Sequence, residues 1–188
     1  MLQAPYFDTK RAAEAEVEAG LAAGLDAVTV NPAAIYGPSL AASNSSKVLV
    51  QILRGRMRFV PPGGVNVVPL DTVVDGCLAA ARRGATGRRY ILGGENLTLA
   101  QLVERVSRAG GKSLRARELP VALGPPARFL MDVLEPFVPD RVWFTPDMAS
   151  VFGRYLWFDS GRAERELGVV PTSLDACLEA TVRQLGVG

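Results

Sequence analysis

A chain of 188 residues with 48% hydrophobic and 21% charged side chains has the composition of an ordinary globular protein, one domain or a domain and a fragment. Its 21 Lys and Arg stand against 19 Asp and Glu, and the arginines are scattered, so no nucleic-acid footprint is expected. The chain has no histidine, which excludes Ser-His-Asp and Cys-His catalysis and any His-ligated metal site within it, so acid-base chemistry must rest on other groups and no metal centre is expected.

Residues 6–23 are rich in Ala and Glu and meet Gly20 and Gly24 at their end, which predicts a helix. Residues 25–30 read as a short apolar strand closed by Asn31-Pro32, because proline cannot donate to a central ladder. Together they make half of a βαβ unit. Residues 39–46 are small and polar, a loop by composition, and residues 47–53 carry apolar side chains at helical spacing. Extended pieces at 59–60 and 65–70 flank Pro61-Pro62-Gly63-Gly64, a turn. Asp71 stands where an N-cap would, ahead of Val73, Val74, Cys77, Leu78 and Ala81, and Arg82-Arg83-Gly84 closes that helix.

Residues 89–92 form a short strand stopped by Gly93-Gly94, and Thr98 with Gln101 has the spacing of a capping box opening a helix to Ala109. Residues 112–119 read as extended and 127–134 as helical, amid prolines at 120, 125, 126, 136 and 139. Residues 155–158 are apolar and aromatic. Asp159 or Ser160 caps a short helix through Leu167, and Thr172 with Asp175 opens a last helix ending near Gly186. Cys77 and Cys177 lie far apart among apolar neighbours and read as buried, reduced thiols. No apolar stretch is long enough to span a membrane and the N-terminus has no signal-peptide pattern, so a soluble, cytoplasmic protein is expected.

The chemistry is concentrated near the start, in Tyr6-Phe7-Asp8-Thr9-Lys10. Residues four apart share one helical face, and an ammonium close to a phenol favours the phenolate. A tyrosine whose ordinary pKa is about 10 is thereby brought toward use as a general acid or base near neutral pH.

From Tyr6 through Asn31-Pro32 to Tyr36-Gly37-Pro38, the sequence resembles the extended short-chain dehydrogenase/reductase family, the NAD-dependent epimerases/dehydratases. In that family a YxxxK helix precedes the sixth strand of a Rossmann sheet, an Asn-Pro or Arg-Pro step closes the strand, and a Tyr-Gly-Pro turn leads to the substrate domain. Later segments agree in order: residues 67–78 resemble the family's strand, aspartate and helix, residues 90–96 its Y-I-L-G-G strand, and residues 157–168 its F-D-S-x-R-A-x-x-E-L-G helix. Within the family the look is nearest to dihydroflavonol-4-reductase-like proteins and hopanoid-associated sugar epimerases.

The resemblance implies an α/β fold: the C-terminal part of a Rossmann-type, doubly wound sheet plus a small α+β substrate-binding domain. Residues 1–38 would be the residual Rossmann helix and strand and 39–188 mainly the substrate domain, with 65–92 returning to the Rossmann sheet. It implies an oxidoreductase or epimerase/dehydratase acting on a sugar nucleotide or a small carbonyl or alcohol substrate, with NAD or NADP as cofactor. Tyr6 would exchange a proton with the substrate, and Lys10 would depress its pKa and bind the nicotinamide ribose. Val30, Pro32 and Ile35 would line the nicotinamide, and Asn31 and Tyr36 would face the substrate. A homodimer through the YxxxK helix is compatible with the alanine-rich face of residues 11–23.

Departures are equally specific. The glycine-rich first βα turn that seats a pyrophosphate is not in this sequence, since Gly93-Gly94 lacks the GxGxxG order, and the residue that reads the ribose is missing too. The family's carbonyl-polarising Ser or Thr would lie upstream of Tyr6, and Pro69 and Thr72 stand where relatives often carry an aromatic or histidine and a second aspartate. The N-terminal nucleotide-binding half is thus expected to be absent, through a misplaced start, a truncated gene or a real short protein, and the fragment alone is expected to be inactive. The alternative is a non-catalytic remnant or interaction module that keeps the substrate-domain fold.

Overall fold

Ala- and Glu-rich residues at the start of the chain build α1 (Pro5–Ala22), and a glycine turn leads to β1 (Thr29–Pro32), followed at once by β2 (Ala34–Tyr36). Then come α2 (Asn44–Leu53), β3 (Phe59–Val60), β4 (Gly64–Pro69), α3 (Leu70–Arg83), β5 (Arg89–Leu92), β6 (Glu95–Thr98), α4 (Leu99–Ala109) and β7 (Arg117–Glu118). The chain closes with β8 (Tyr155–Leu156), α5 (Gly161–Leu167) and α6 (Leu174–Leu185). The structure, a computed structural model, describes residues 5–39, 44–120 and 153–186. The helix expected at 127–134 lies outside them.

β1 pairs in parallel with β5, Thr29 opposite Arg89 and Pro32 opposite Leu92. β4 is the hub of the second sheet: β2 lies parallel to its end, β6 antiparallel along its first four residues, and β8 parallel at Gly64 and Val65. β3 pairs with β7 and not with β4, so the Pro-Gly turn joins two strands of different sheets.

Because successive strand residues point to opposite faces, β4 divides two cores. Val67 belongs to a cluster with Leu49, Ile52, Val103, Val106 and Leu178, where α2, α4 and α6 pack. Val68 belongs to a second with Tyr90, Leu92, Ala79, Ala80 and Leu167, where α3 and α5 pack. β2 repeats the alternation, Tyr36 entering the first cluster and Ile35 packing against the second.

Asn66, fully buried, ties three segments together. Its Oδ1 accepts from the Gly94 N–H at 2.9 Å and its Nδ2 donates to Asn96 Oδ1 at 2.7 Å, while Asn96 Oδ1 also accepts from the Phe158 N–H at 3.1 Å. Gly94 is held there by space: a Cβ on it would collide with the Val67 carbonyl.

Several local expectations are corrected. The first strand is Thr29–Pro32 and not 25–30, so Asn31 and Pro32 lie within it. Pro32 is tolerated because only odd-numbered positions of this stretch donate toward β5, Thr29 N–H to the Arg88 carbonyl and Ala33 N–H, four residues on, to that of Leu92, leaving the proline nitrogen on the other edge. Asp71 lies inside the first turn of α3, whose N-cap is Pro69 with no side-chain cap. Thr172 does not cap α6: Ser173 does, accepting from Ala176 N–H, while Thr172 N–H donates to Thr72 Oγ1 at 2.9 Å. Cys77 is exposed, because α3 buries the Val73, Gly76 and Ala80 side instead, and Cys177 is half-buried. Burial raises the Cys177 thiol pKa.

Candidate active site

Successive turns of α1 set positions 6, 10 and 14 on one side of the helix. The described side chains of α1 begin at Asp8. Glu14 fixes where that side faces: Arg89, the first residue of β5, contacts its carboxylate at 2.6 Å, and Asn31 Nδ2 of β1 donates to it at 3.4 Å. The Arg89 hydrogen bond holds the Glu14 carboxyl below the usual carboxylate value, with the guanidinium charge and the Asn31 bond adding to it against some desolvation. Farther along α1, Leu21 comes within 3.9 Å of where a Gly87 Cβ would sit, just ahead of β5. The helix therefore runs antiparallel to β1 and β5. Each helical turn back toward its N-terminus advances about 5 Å, so Lys10 stands one turn beyond Glu14 and position 6 two turns, toward the carboxyl ends of the parallel strands. That end of a parallel α/β sheet is where ligand crevices form.

Asn31 supplies the polar group at this end. With Nδ2 engaged by Glu14, its Oδ1 is buried with no hydrogen-bond partner among the described residues. A buried acceptor left unpaired is costly, and a donor on a bound ligand would relieve it. Around it, Pro32 is exposed, while Val30 and Ile35 are half-buried and pack against the second core. Ser45 Oγ donates to the Ile35 carbonyl at 2.8 Å and pins the start of α2 to β2. Tyr36 is 6% exposed, and its carbonyl accepts from Cys177 Sγ at 3.2 Å. Desolvation pushes its phenol up to about 12. It is therefore a neutral hydroxyl at neutral pH, and any acid-base role at this end falls to another group.

These residues fit the nicotinamide end of a dinucleotide: an orphaned acceptor, an exposed proline ring and a helix face carrying Lys10. They offer nothing for the pyrophosphate, whose glycine-rich turn the sequence lacks. The structure thus joins Lys10's helix face, Asn31 and Pro32 at one strand end, and turns Tyr36 into the first core. Sequence reasoning missed Glu14 and Arg89. The signal for Glu14 was available, since it continues the four-residue spacing of Tyr6 and Lys10 by one step.

A parallel βα layer continuing into a mixed-sheet layer defines an α/β protein with part of a Rossmann-type fold. No protein-family model matches the chain. It is 34% identical over 180 residues to sterol demethylase protein B of Methylococcus capsulatus, covering 94% of this chain and 55% of that protein. A Synechocystis protein that carries the name of a dihydroflavonol 4-reductase is 30% identical over 186 residues, covering 94% of this chain and 53% of its own length. Among solved structures, a nucleoside-diphosphate-sugar epimerase from Pseudomonas aeruginosa superposes with a TM-score of 0.74 at 24% identity, over 98% of this chain and 56% of that one. The UDP-glucuronic acid 4-epimerase of Bacillus cereus, solved in complex with NAD, gives 0.69 at 17% identity, over 99% and 53%. The chain belongs to the extended short-chain dehydrogenase/reductase family, the NAD-dependent epimerases/dehydratases. It spans about half the length of the curated relatives it matches.

Proposed function

We propose that the protein is an NAD(P)-dependent oxidoreductase or epimerase/dehydratase acting on a small carbonyl or alcohol substrate or a sugar nucleotide. The observation that carries this reading is the docking of Glu14 on Asn31 and Arg89, which aims the side of α1 bearing Lys10 and position 6 toward the carboxyl end of β1. NAD(P), when bound, supplies the hydride exchange. Tyr6 gives or takes the proton at the substrate oxygen as that oxygen changes between hydroxyl and carbonyl. Lys10 keeps an ammonium beside the phenol and donates to the nicotinamide ribose. Val30, Pro32 and Ile35 line the nicotinamide, Asn31 faces the substrate with its Oδ1, and Tyr36 faces it only from the side of the first core, into which its ring is turned.

The activity requires the nucleotide-binding residues that the family carries ahead of this segment. In this reading residues 1–38 and 65–92 belong to the Rossmann layer and the rest mainly to the substrate domain. In the same reading the protein acts in the cytoplasm; separately, among the described residues no helix is long and apolar enough to cross a membrane. The exposed Ala12, Ala13, Ala15 and Ala19 of α1 allow close approach of a second copy, which supports a homodimer through this helix.

The test is Tyr6→Phe in a form that carries a nucleotide-binding half. Turnover should fall by about 10²- to 10⁴-fold with cofactor affinity unchanged. Retained turnover removes Tyr6 from the chemistry, and loss of cofactor binding alone assigns it a different role.

A further inference from the structure

The described residues of the first core leave a space between them. Between α2, α4 and the start of β4 lies a cavity of about 160 Å³, bounded by Tyr36, Ile52, Met57, Val65, Val103 and Arg154 among others. Among the described side chains that line it, only those of Tyr36 and Arg154 carry a strong hydrogen-bonding group, and the remainder are aliphatic, proline or methionine. Ile52, Met57 and Val103, nearly or fully buried, form its floor, while half-buried Val48, Val65, Leu99 and Leu156 and exposed Arg154 stand at its mouth.

Volume and lining together select the guest. An apolar space of roughly 150 Å³ accepts a single ring such as benzene, whereas an apolar wall cannot pair the hydroxyls of a sugar, each of which costs free energy to bury unpaired. A nucleotide is far too large, and among the described lining residues its phosphates would find a single guanidinium, Arg154, which is itself exposed. Tyr36, which lines this space, ends the strand that follows Asn31, Pro32 and Ala33 in the chain, so the cavity wall and the candidate active site lie on consecutive strands.

From this we infer that the cavity is a binding pocket for one aromatic or alicyclic ring, the apolar part of a carbonyl or alcohol substrate, with Met57 and Val103 setting the size it admits. The inference rests on the proposed activity only in calling the ring part of a substrate.

Selective ¹³C-methyl labelling of methionine in the 188-residue chain provides the test, since Met57 lies in the wall and is assigned by Met57→Leu. Titration with fluorobenzene should move the Met57 methyl resonance in a saturable way. Val48→Phe, which adds a ring to the wall from a half-buried position on α2, should weaken that response at least tenfold. Val103→Phe repeats the test from α4, so misfolding of one variant leaves the other to decide. A Met57 signal that does not respond in the wild-type chain, or a response that survives both folded fillings, overturns the pocket. Tyr6→Phe should leave the response intact, so loss of turnover in that variant speaks to the proton-transfer role and not to the cavity.

Discussion

Tyr36 and Glu14 lie at either side of the strand end that organises the molecule, and their surroundings push their acidities in opposite directions. Arg89 holds Glu14 ionised to lower pH than an ordinary carboxyl, whereas desolvation keeps Tyr36 neutral up to about 12 against an ordinary 10.0. The Tyr36 phenol is thus more easily ionised in the unfolded chain. Its contribution to stability is whole below pH 10 and is lost as pH rises from 10 toward 12. Urea midpoints measured through this window should fall more steeply for the wild type than for Tyr36→Phe, by an amount on the order of 2 kcal/mol. Parallel slopes would mean that the phenol reaches solvent. At this scale Tyr6 and Lys10 could be singled out from spacing, because their relation is local to one helix. The Glu14–Arg89 pair could not, because its partners are 75 positions apart and meet only once β1 and β5 have paired.

Helix α4 is the element whose ends follow most directly from local chemistry. Thr98 Oγ1 accepts from the Gln101 N–H at 3.1 Å while Gln101 Oε1 accepts from the Thr98 N–H at 2.8 Å, closing the reciprocal box that their spacing predicts. Thr98→Ala should cost about 1 kcal/mol in a denaturation midpoint, and Thr98→Ser should restore most of it. Equal stability of the two variants would show that the box is dispensable. The helix boundaries were legible because both caps lie within the segment itself. β2 and β6 were not, since three or four residues of mixed polarity carry no period of their own. Their extended form comes from β4, which lies between them, with Tyr36 opposite Pro69 on one edge and Leu97 opposite Val65 on the other. The same dependence misled the reading of Thr172, whose N–H is taken by Thr72 from a helix 100 positions earlier. Arg105 adds a tertiary tie that no local pattern announces, bridging Glu95 and Asp175 at 2.8 Å each.

At the scale of the molecule, the alternation along β4 allows one strand to serve two cores, and the two layers meet there and at β2. The α/β class and the parallel first strand could be read from the order of elements, but the division into two small sheets plus a pair could not, since it is decided by which strands find neighbours. β1 pairs only with β5 among the described residues, and the N–H of Val30, between the donors Thr29 and Asn31, points to the opposite edge. Hydrogen exchange at Val30 should therefore be fast in this chain and slow markedly once a nucleotide-binding half pairs with the strand. Protection of Val30 in the chain alone would mean that another segment already covers that edge.

The position of Pro32 gives this edge a further property. Along it, Val30 contributes a donor and an acceptor, whereas Pro32 contributes an acceptor and no donor. Such a strip discourages indiscriminate recruitment of copies into fibrils, because a proline interrupts any long ladder. A strand added there would find a donor at Val30 and none at Pro32, so a single imino acid both guards the margin of the sheet and restricts the alignment of anything laid against it.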